Sequence, residues 1–238
     1  MKDNGNLSGG IRAVTLDGFG TLLALDRPYE RLTNVLAGEG LAVPLEAVRT
    51  AFLAEMTYYR DHHLIARDAD SLNAFRRCCA GRLFGELSAM GYAVPLPAEQ
   101  QVALLLQAVR FRLFDDVLPA LASLKEAGFQ VGIVSNWDFS LPETLAALGL
   151  DTRRFDVVTV SAAMGLAKPA PGIFEATARA FGLGPASVLH VGDEWETDFR
   201  AAESAGLRAA FLQREPGIRQ PGLTIRRLTE LPALLQGG

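Results

Sequence analysis

Five short apolar runs, at residues 11–16, 130–135, 155–160, 187–191 and 208–212, alternate along this chain with longer stretches of helical periodicity. Each run has the length of a buried strand. The stretch 116–127 sets Val117, Leu118, Leu121 and Leu124 at helical spacing, with Pro119 in the first turn and Gly128 as a stop. Residues 169–181 and 197–205 repeat the scheme, the second segment ending at Gly206. Strands alternating with helices of this size join by right-handed crossovers into a parallel sheet covered on both faces, so the expected fold class is α/β. The alternation fails between about 26 and 110, where 31–36, 45–59, 71–90 and 98–109 carry helical spacing with no strand between them. Those residues are expected to form an all-helical insertion directly after the first strand, above the catalytic edge of the sheet, in the place of a lid. Its aromatics Phe52, Tyr58, Tyr59, Phe75 and Phe84 read as helix-packing core.

The segment IRAVTLDGFGTLL brings Asp17 to the end of the first strand, ahead of a Gly-rich turn with Thr21 close behind. Open α/β sheets bind their ligands at the carboxyl ends of the strands. Later strand ends add three more groups: Ser135 and Asn136 close GIVSN, Lys168 lies in AKPAP ahead of a helix, and Asp193 and Asp198 lie in VLHVGDEWETD. Taken singly, each has an ordinary structural use as a helix cap, a turn former or a solvated charge. Their order, each after its own strand, points to one shared site. His190, inside an apolar run, reads as a buried hydrogen-bonded ring, whereas His62 and His63 lie near Arg60 and Arg67 and read as a solvated face. Trp195, between Glu194 and Glu196, reads equally as a packing residue or a pocket wall.

With 238 residues and 49% hydrophobic composition, the chain can bury a substantial core in one large domain or a domain with an insertion. A net charge of -4 argues against nucleic acid and acidic membranes as partners, since both reward clustered Lys and Arg. The only cysteines, Cys78 and Cys79, are adjacent and cannot readily close a loop, so a reducing cytoplasm is the expected compartment. The polar, Gly-rich MKDNGNLSGG reads as a frayed leader without a signal-peptide core, and no later run approaches a membrane span.

On these four motifs the chain resembles the haloacid dehalogenase superfamily of hydrolases. The resemblance implies a Rossmann-like core over residues 1–25 and 111–238 and a helical cap over 26–110. It puts a covalent nucleophile at Asp17, the hydroxyl of the second motif at Ser135, the lysine of the third at Lys168 and the acidic pair of the fourth at Asp193 and Asp198. Mg²⁺ is the implied cofactor, held by Asp17, Asp193 and the backbone carbonyl of Phe19, with Asp198 orienting from behind. A small phosphorylated substrate would be bound by Thr21, Ser135, Asn136 and Lys168. The chemistry requires such a set: a phosphate dianion repels a carboxylate, and a hard cation with oxygen ligands lets them meet.

Phe19 departs from the family pattern. Phosphatases of the family carry a second Asp there, which protonates the leaving oxygen and then activates water, a contribution of about 10²–10⁴-fold for a positioned acid–base. A phenyl ring does neither. Three routes stay open: substrates with good leaving groups, a proton donor from the cap or the substrate, or a chemistry needing no acid. The last is that of 2-haloacid dehalogenases, which resemble this chain at the aromatic-Gly-Thr turn, but which use no metal and carry a Ser/Asn segment where this chain has GDEWETD. Their Tyr after the Lys-Pro segment is Phe174 here. In its turn, its SNWD segment and its acidic loop the chain also resembles haloacid dehalogenase-like hydrolase domain proteins. A module that binds a phosphorylated ligand and turns over little is the third reading.

Overall fold

The computed structural model describes residues 10–217 and 220–236, so most of the expected leader and the terminal Gly237 and Gly238 lie outside the described residues. In chain order the elements are β1 (Ala13–Leu16), β2 (Leu23–Leu25), α1 (Pro28–Gly38), α2 (Leu45–His62), α3 (Ala69–Ala89), α4 (Ala98–Ala108), β3 (Phe111–Leu113), α5 (Val117–Glu126), β4 (Gln130–Ser135) and α6 (Leu141–Ala147). Then follow β5 (Val157–Val160), α7 (Ser161–Met164), α8 (Pro171–Ala180), β6 (Val188–Gly192), α9 (Ala201–Ser204), β7 (Arg208–Leu212), β8 (Thr224–Ile225) and α10 (Leu231–Gln236). The chain divides into two units: Met1–Ala24, Leu113–Trp137 and Leu141–Gly238 make one, Leu25–Arg112 and Asp138–Ser140 the other.

The first unit is built on a six-stranded parallel sheet of order β5-β4-β1-β6-β7-β8. The α/β class read from the alternation is what the structure has. β1 is buried along its whole length and pairs with β4 on one side, Leu16 opposite Ile133, and with β6 on the other, Leu16 opposite Val191. The strand order therefore changes direction at β1, and the carboxyl ends of β1, β4 and β6 lie side by side, the place where open α/β sheets form their binding crevices. Phe174, Ile173, Phe199 and Phe211 pack with Val134 and Val188 in the core of this unit.

The second unit packs α1 to α4 around Phe52, Phe75, Leu83 and Phe84. Residues 138–140, which the sequence reading left with the sheet, cluster here because the Tyr59 hydroxyl donates to Asp138 Oδ2 at 3.0 Å and the Phe139 N–H to the Ala66 carbonyl at 2.9 Å. His63 is buried rather than on a solvated face, its Nδ1 2.8 Å from the Arg60 carbonyl; His62 is exposed and stacks on Tyr58 at 4.2 Å. Strands β2 and β3, of three residues each, were too short to show a period in the sequence. No helix among the described residues is long and apolar enough to cross a membrane.

Within the helical unit, burial pushes the Glu55 carboxyl up to about 7 from an ordinary 4.5, the Cys79 thiol beside it pulling the other way. The folded chain then keeps a proton that the unfolded chain releases, so stability falls as pH rises from about 4.5 through 7 and is level above that. Glu55→Gln is expected to flatten that dependence and to add up to about 3 kcal/mol at pH 8, read from urea unfolding across pH. An unchanged pH profile would show that Glu55 ionises normally.

Candidate active site

Hydrogen bonding holds the chain tightly where it leaves β1. The Asp17 N–H extends the ladder to the Val191 carbonyl at 2.9 Å, after which Leu22 and Leu23 both donate to the Gly18 carbonyl, at 2.8 and 3.0 Å, and Gly20 donates to Leu23 at 2.8 Å. Gly20 has φ 83, and a Cβ there would fall into the Asp193 carboxylate, so both backbone freedom and the missing side chain are required. Thr21, fully buried, donates its hydroxyl to Asp193 Oδ1 at 3.1 Å. Asp193 follows β6, and Ser135 closes β4, its Oγ 2.6 Å from where a Cβ on Gly18 would lie.

The expected helix 197–205 begins instead as a π-helical turn, Trp195–Arg200, whose Asp198 and Phe199 N–H groups both point to the Glu194 carbonyl. This wider turn sends Asp198 back beneath β6, where its Oδ2 accepts the Glu194 N–H at 3.0 Å and its carboxylate occupies the space a Cβ on Gly192 would need. Trp195 stacks on Phe199 at 4.3 Å and meets Phe211 edge-on, which makes it a packing residue.

Lys168 joins these elements. Its ammonium donates to Asp17 Oδ1 at 2.6 Å and to Asp198 Oδ1 at 2.5 Å, with side chains 3%, 9% and 1% exposed. Burial alone would lower the Lys168 pKa, but the two carboxylates outweigh it and hold the ammonium charged. Burial would raise Asp198, yet Lys168 and His190 together keep it well below the usual carboxylate range. Asp17 is pushed up to about 7 by burial, with Asp198 and Asp193 adding to the rise and Lys168 opposing it. Asp193 is raised to about 6 by burial and then by Asp198. His190 lies 3.3 Å from Asp198 and 3.0 Å from the Thr15 hydroxyl; burial lowers its pKa, so the neutral ring satisfies both contacts by donating from Nε2 and accepting at Nδ1.

Three carboxylates, Asp17, Asp193 and Asp198, thus offer oxygens within 4.8 Å of one another around a single lysine. That imbalance is what a divalent cation with hard oxygen ligands relieves. The backbone adds a donor. The Gly18 carbonyl accepts from Leu22 and Leu23, those of Gly20 and Thr21 accept from Arg214, and that of Leu22 accepts from Phe114, whereas the Phe19 carbonyl takes no hydrogen bond from any described residue. The donor set fits a small divalent ion.

All the motif residues except the Phe19 ring are drawn into this network or its immediate walls, but two have other work than a substrate contact. The Asn136 amide donates to the Lys168 carbonyl and accepts from the Lys168 N–H, both at 2.8 Å, so it positions Lys168. Thr21 holds Asp193. Ser135 is buried, with its Oγ against the backbone of Gly18 in the turn after β1. The Phe19 side chain is 40% exposed. Sequence reasoning missed Arg214 and Asp116, which carry no motif and lie far apart in the chain, and read Asp116 only as the start of a helix.

A family model of haloacid dehalogenase-like hydrolases matches residues 11–206. Haloacid dehalogenase-like hydrolase domain-containing protein 3 of Danio rerio is 34% identical over 131 residues, 53% of this chain and 54% of that protein, so the match spans about half of each. The crystal structure of a HAD phosphatase from Thermococcus onnurineus is 25% identical with a TM-score of 0.64, covering 95% of this chain and 99% of the other. The fold is shared with L-2-haloacid dehalogenase from Xanthobacter autotrophicus, 22% identical, TM-score 0.70, covering 95% and 99%.

Removing one partner of a buried charge network leaves the others uncompensated, so Lys168→Met is expected to cost about 3–5 kcal/mol in urea unfolding. Lys168→Met with Asp198→Asn should recover part of that loss. A cost below about 1 kcal/mol would mean that the carboxylates are already neutral.

Proposed function

The chain belongs to the haloacid dehalogenase-like hydrolases, and from that premise we propose that it is a Mg²⁺-dependent phosphohydrolase acting on a small phosphorylated metabolite. One observation carries this reading: a close group of three carboxylates, two of them bound to one buried lysine and the third, Asp193, not, beside a backbone carbonyl with no hydrogen bond from a described residue. Asp17, Asp193 and the Phe19 carbonyl would hold the cation, whose charge offsets that of the phosphate dianion. The likeness to the Thermococcus onnurineus phosphatase agrees with the reading.

In this mechanism Lys168 engages Asp17 Oδ1 and opposes the rise that burial gives its carboxyl, which leaves Oδ2 as the attacking atom of the ionised form. The Oδ2–P bond forms as the bond from phosphorus to the leaving oxygen breaks. Ser135 Oγ donates to the phosphoryl oxygens through this step. Water then attacks the phosphorus of the aspartyl phosphate as the Asp17 Oδ2–P bond breaks, restoring the carboxylate and releasing inorganic phosphate that carries the water's protons. Phe19 neither donates a proton to the leaving oxygen nor accepts one from the attacking water, so the chain is suited to leaving groups that depart as stable anions.

Phe19 is also the observation that favours a second reading, since halide departs without a proton and 2-haloacid dehalogenation would need no acid at this position. Turnover of p-nitrophenyl phosphate, an alkyl phosphate and 2-chloropropionate, with and without Mg²⁺, separates the two. Metal-dependent release of p-nitrophenol that disappears in Asp17→Asn is the expected result. Chloride release without metal would replace it with the dehalogenase; phosphate binding without any turnover would leave a binding module. Phe19→Asp is expected to raise alkyl-phosphate turnover by tenfold or more, within the roughly 10²–10⁴-fold range of a positioned acid–base.

A further inference from the structure

Arg214 lies just beyond β7, and its guanidinium faces the turn that follows β1. Nη2 donates to the Thr21 carbonyl at 2.7 Å and Nε to the Gly20 carbonyl at 3.2 Å. The other edge of the fork meets the Asp116 carboxylate, Nη1 to Oδ2 and Nη2 to Oδ1, each at 3.0 Å. The plane lies over the Phe114 ring, 3.8 Å from its centroid. Asp116 is 2% exposed and also accepts the Leu228 N–H at 2.8 Å, while Phe114 donates its own N–H to the Leu22 carbonyl at 3.1 Å. Segments around 114 and 214 thus hold three carbonyls of the turn after β1, those of Gly20, Thr21 and Leu22, and Leu228 braces Asp116 behind Arg214. All of them belong to the sheet unit.

The contacts of the Arg214 fork are with backbone carbonyls and with Asp116, and its side chain is 17% exposed. What it holds is the peptide pair at Gly20 and Thr21. Gly20 must stay against Asp193 without a side chain, and Thr21 must keep its hydroxyl on Asp193 Oδ1. Tying down those two carbonyls also leaves the Phe19 carbonyl as the one in this turn with no hydrogen bond from a described residue.

We propose that the Arg214–Asp116 pair is a positioning device for the reaction: it sets the peptide planes of Gly20 and Thr21, and through them the alignment of Asp17, the Phe19 carbonyl and Asp193 as a cation-holding set. A planar fork is needed because one guanidinium must satisfy two carbonyls and a bidentate carboxylate at once, which the point charge of lysine does not do. The proposal rests on the phosphohydrolase reading for its catalytic consequence and on backbone geometry alone for its structural one.

The test compares wild type, Arg214→Lys and Arg214→Met, with Arg214→Gln/Asp116→Asn as the variant that leaves no unpaired buried charge should Arg214→Met fail to fold. Amide hydrogen exchange of Gly20, Leu22 and Leu23 is measured without metal; the proposal expects faster exchange there while β4 and β6 keep wild-type protection. The Mg²⁺ concentration that half-saturates the rise in melting temperature is expected to increase about 10–100-fold in Arg214→Met, as when a partner behind a metal ligand is lost. With p-nitrophenyl phosphate at saturating Mg²⁺, kcat is expected to fall about 10–100-fold with KM little changed, and Arg214→Lys to recover only part of it. Wild-type exchange in the turn together with an unshifted Mg²⁺ response would overturn the proposal. Absence of metal-dependent turnover in the wild type would overturn the phosphohydrolase reading instead, and the exchange data would still decide whether Arg214 fixes the turn.

Discussion

The ammonium of Lys168, wedged between Asp17 and Asp198, is the contact on which the rest of this site depends. Buried ion pairs do not in general stabilise a fold, because desolvation consumes what the attraction returns. Their effect here is directional. With one cation between two carboxylates, Asp198 is held ionised far below its ordinary range and Asp17 is fixed through one oxygen, while Asp193 accepts the Thr21 hydroxyl and forms no ion pair among the described residues. The neutral His190 and the Asn136 amide exist in relation to that contact, one bonding to Asp198 from below and the other clasping the backbone of Lys168.

The sheet explains why such distant residues meet. Because β5, β4, β1 and β6 lie side by side in parallel, the segments that follow these four strands emerge on one edge, and chain separations of 151 and 30 residues close to hydrogen-bond distance. Glycine does the remaining fitting: at positions 20 and 192 the backbone passes so near the carboxylates of Asp193 and Asp198 that no side chain fits. Two residues past Asp17 the chain carries an exposed phenyl ring, with the three carboxylates in place beside it.

Much of this was legible beforehand, and the reasons differ from residue to residue. Asp17 and Ser135 stand at the ends of apolar runs whose period identifies a strand, and Lys168, Asp193 and Asp198 lie in the segments that follow later strands, so order along the chain maps onto one edge of the sheet. Asn136 and Thr21 were found as residues but not in their jobs: a short polar side chain next to a site can contact either ligand or protein, and the choice depends on distances. The π-helical turn at Trp195–Arg200 was read as ordinary helix because one extra residue per turn hardly disturbs an apolar pattern over so few positions. Arg214 and Asp116 gave no signal, since a lone arginine and a lone aspartate have no period and no motif.

Sequence alone determined the α/β class, the break in alternation that sets the helical stretch apart, and which polar residues stand at the strand ends, because these depend on local periodicity and on residue type. Tertiary structure alone decided which carboxylates share the lysine, that burial raises Asp17 and Asp193 together, that residues 138–140 pack with the helical unit, and that Arg214 bonds to the turn after β1. The physical reason is range. Backbone propensity and amphipathic pattern act over a few neighbouring residues, whereas Coulomb interactions and desolvation depend on what the folded chain brings within a few ångströms, whatever the distance along it.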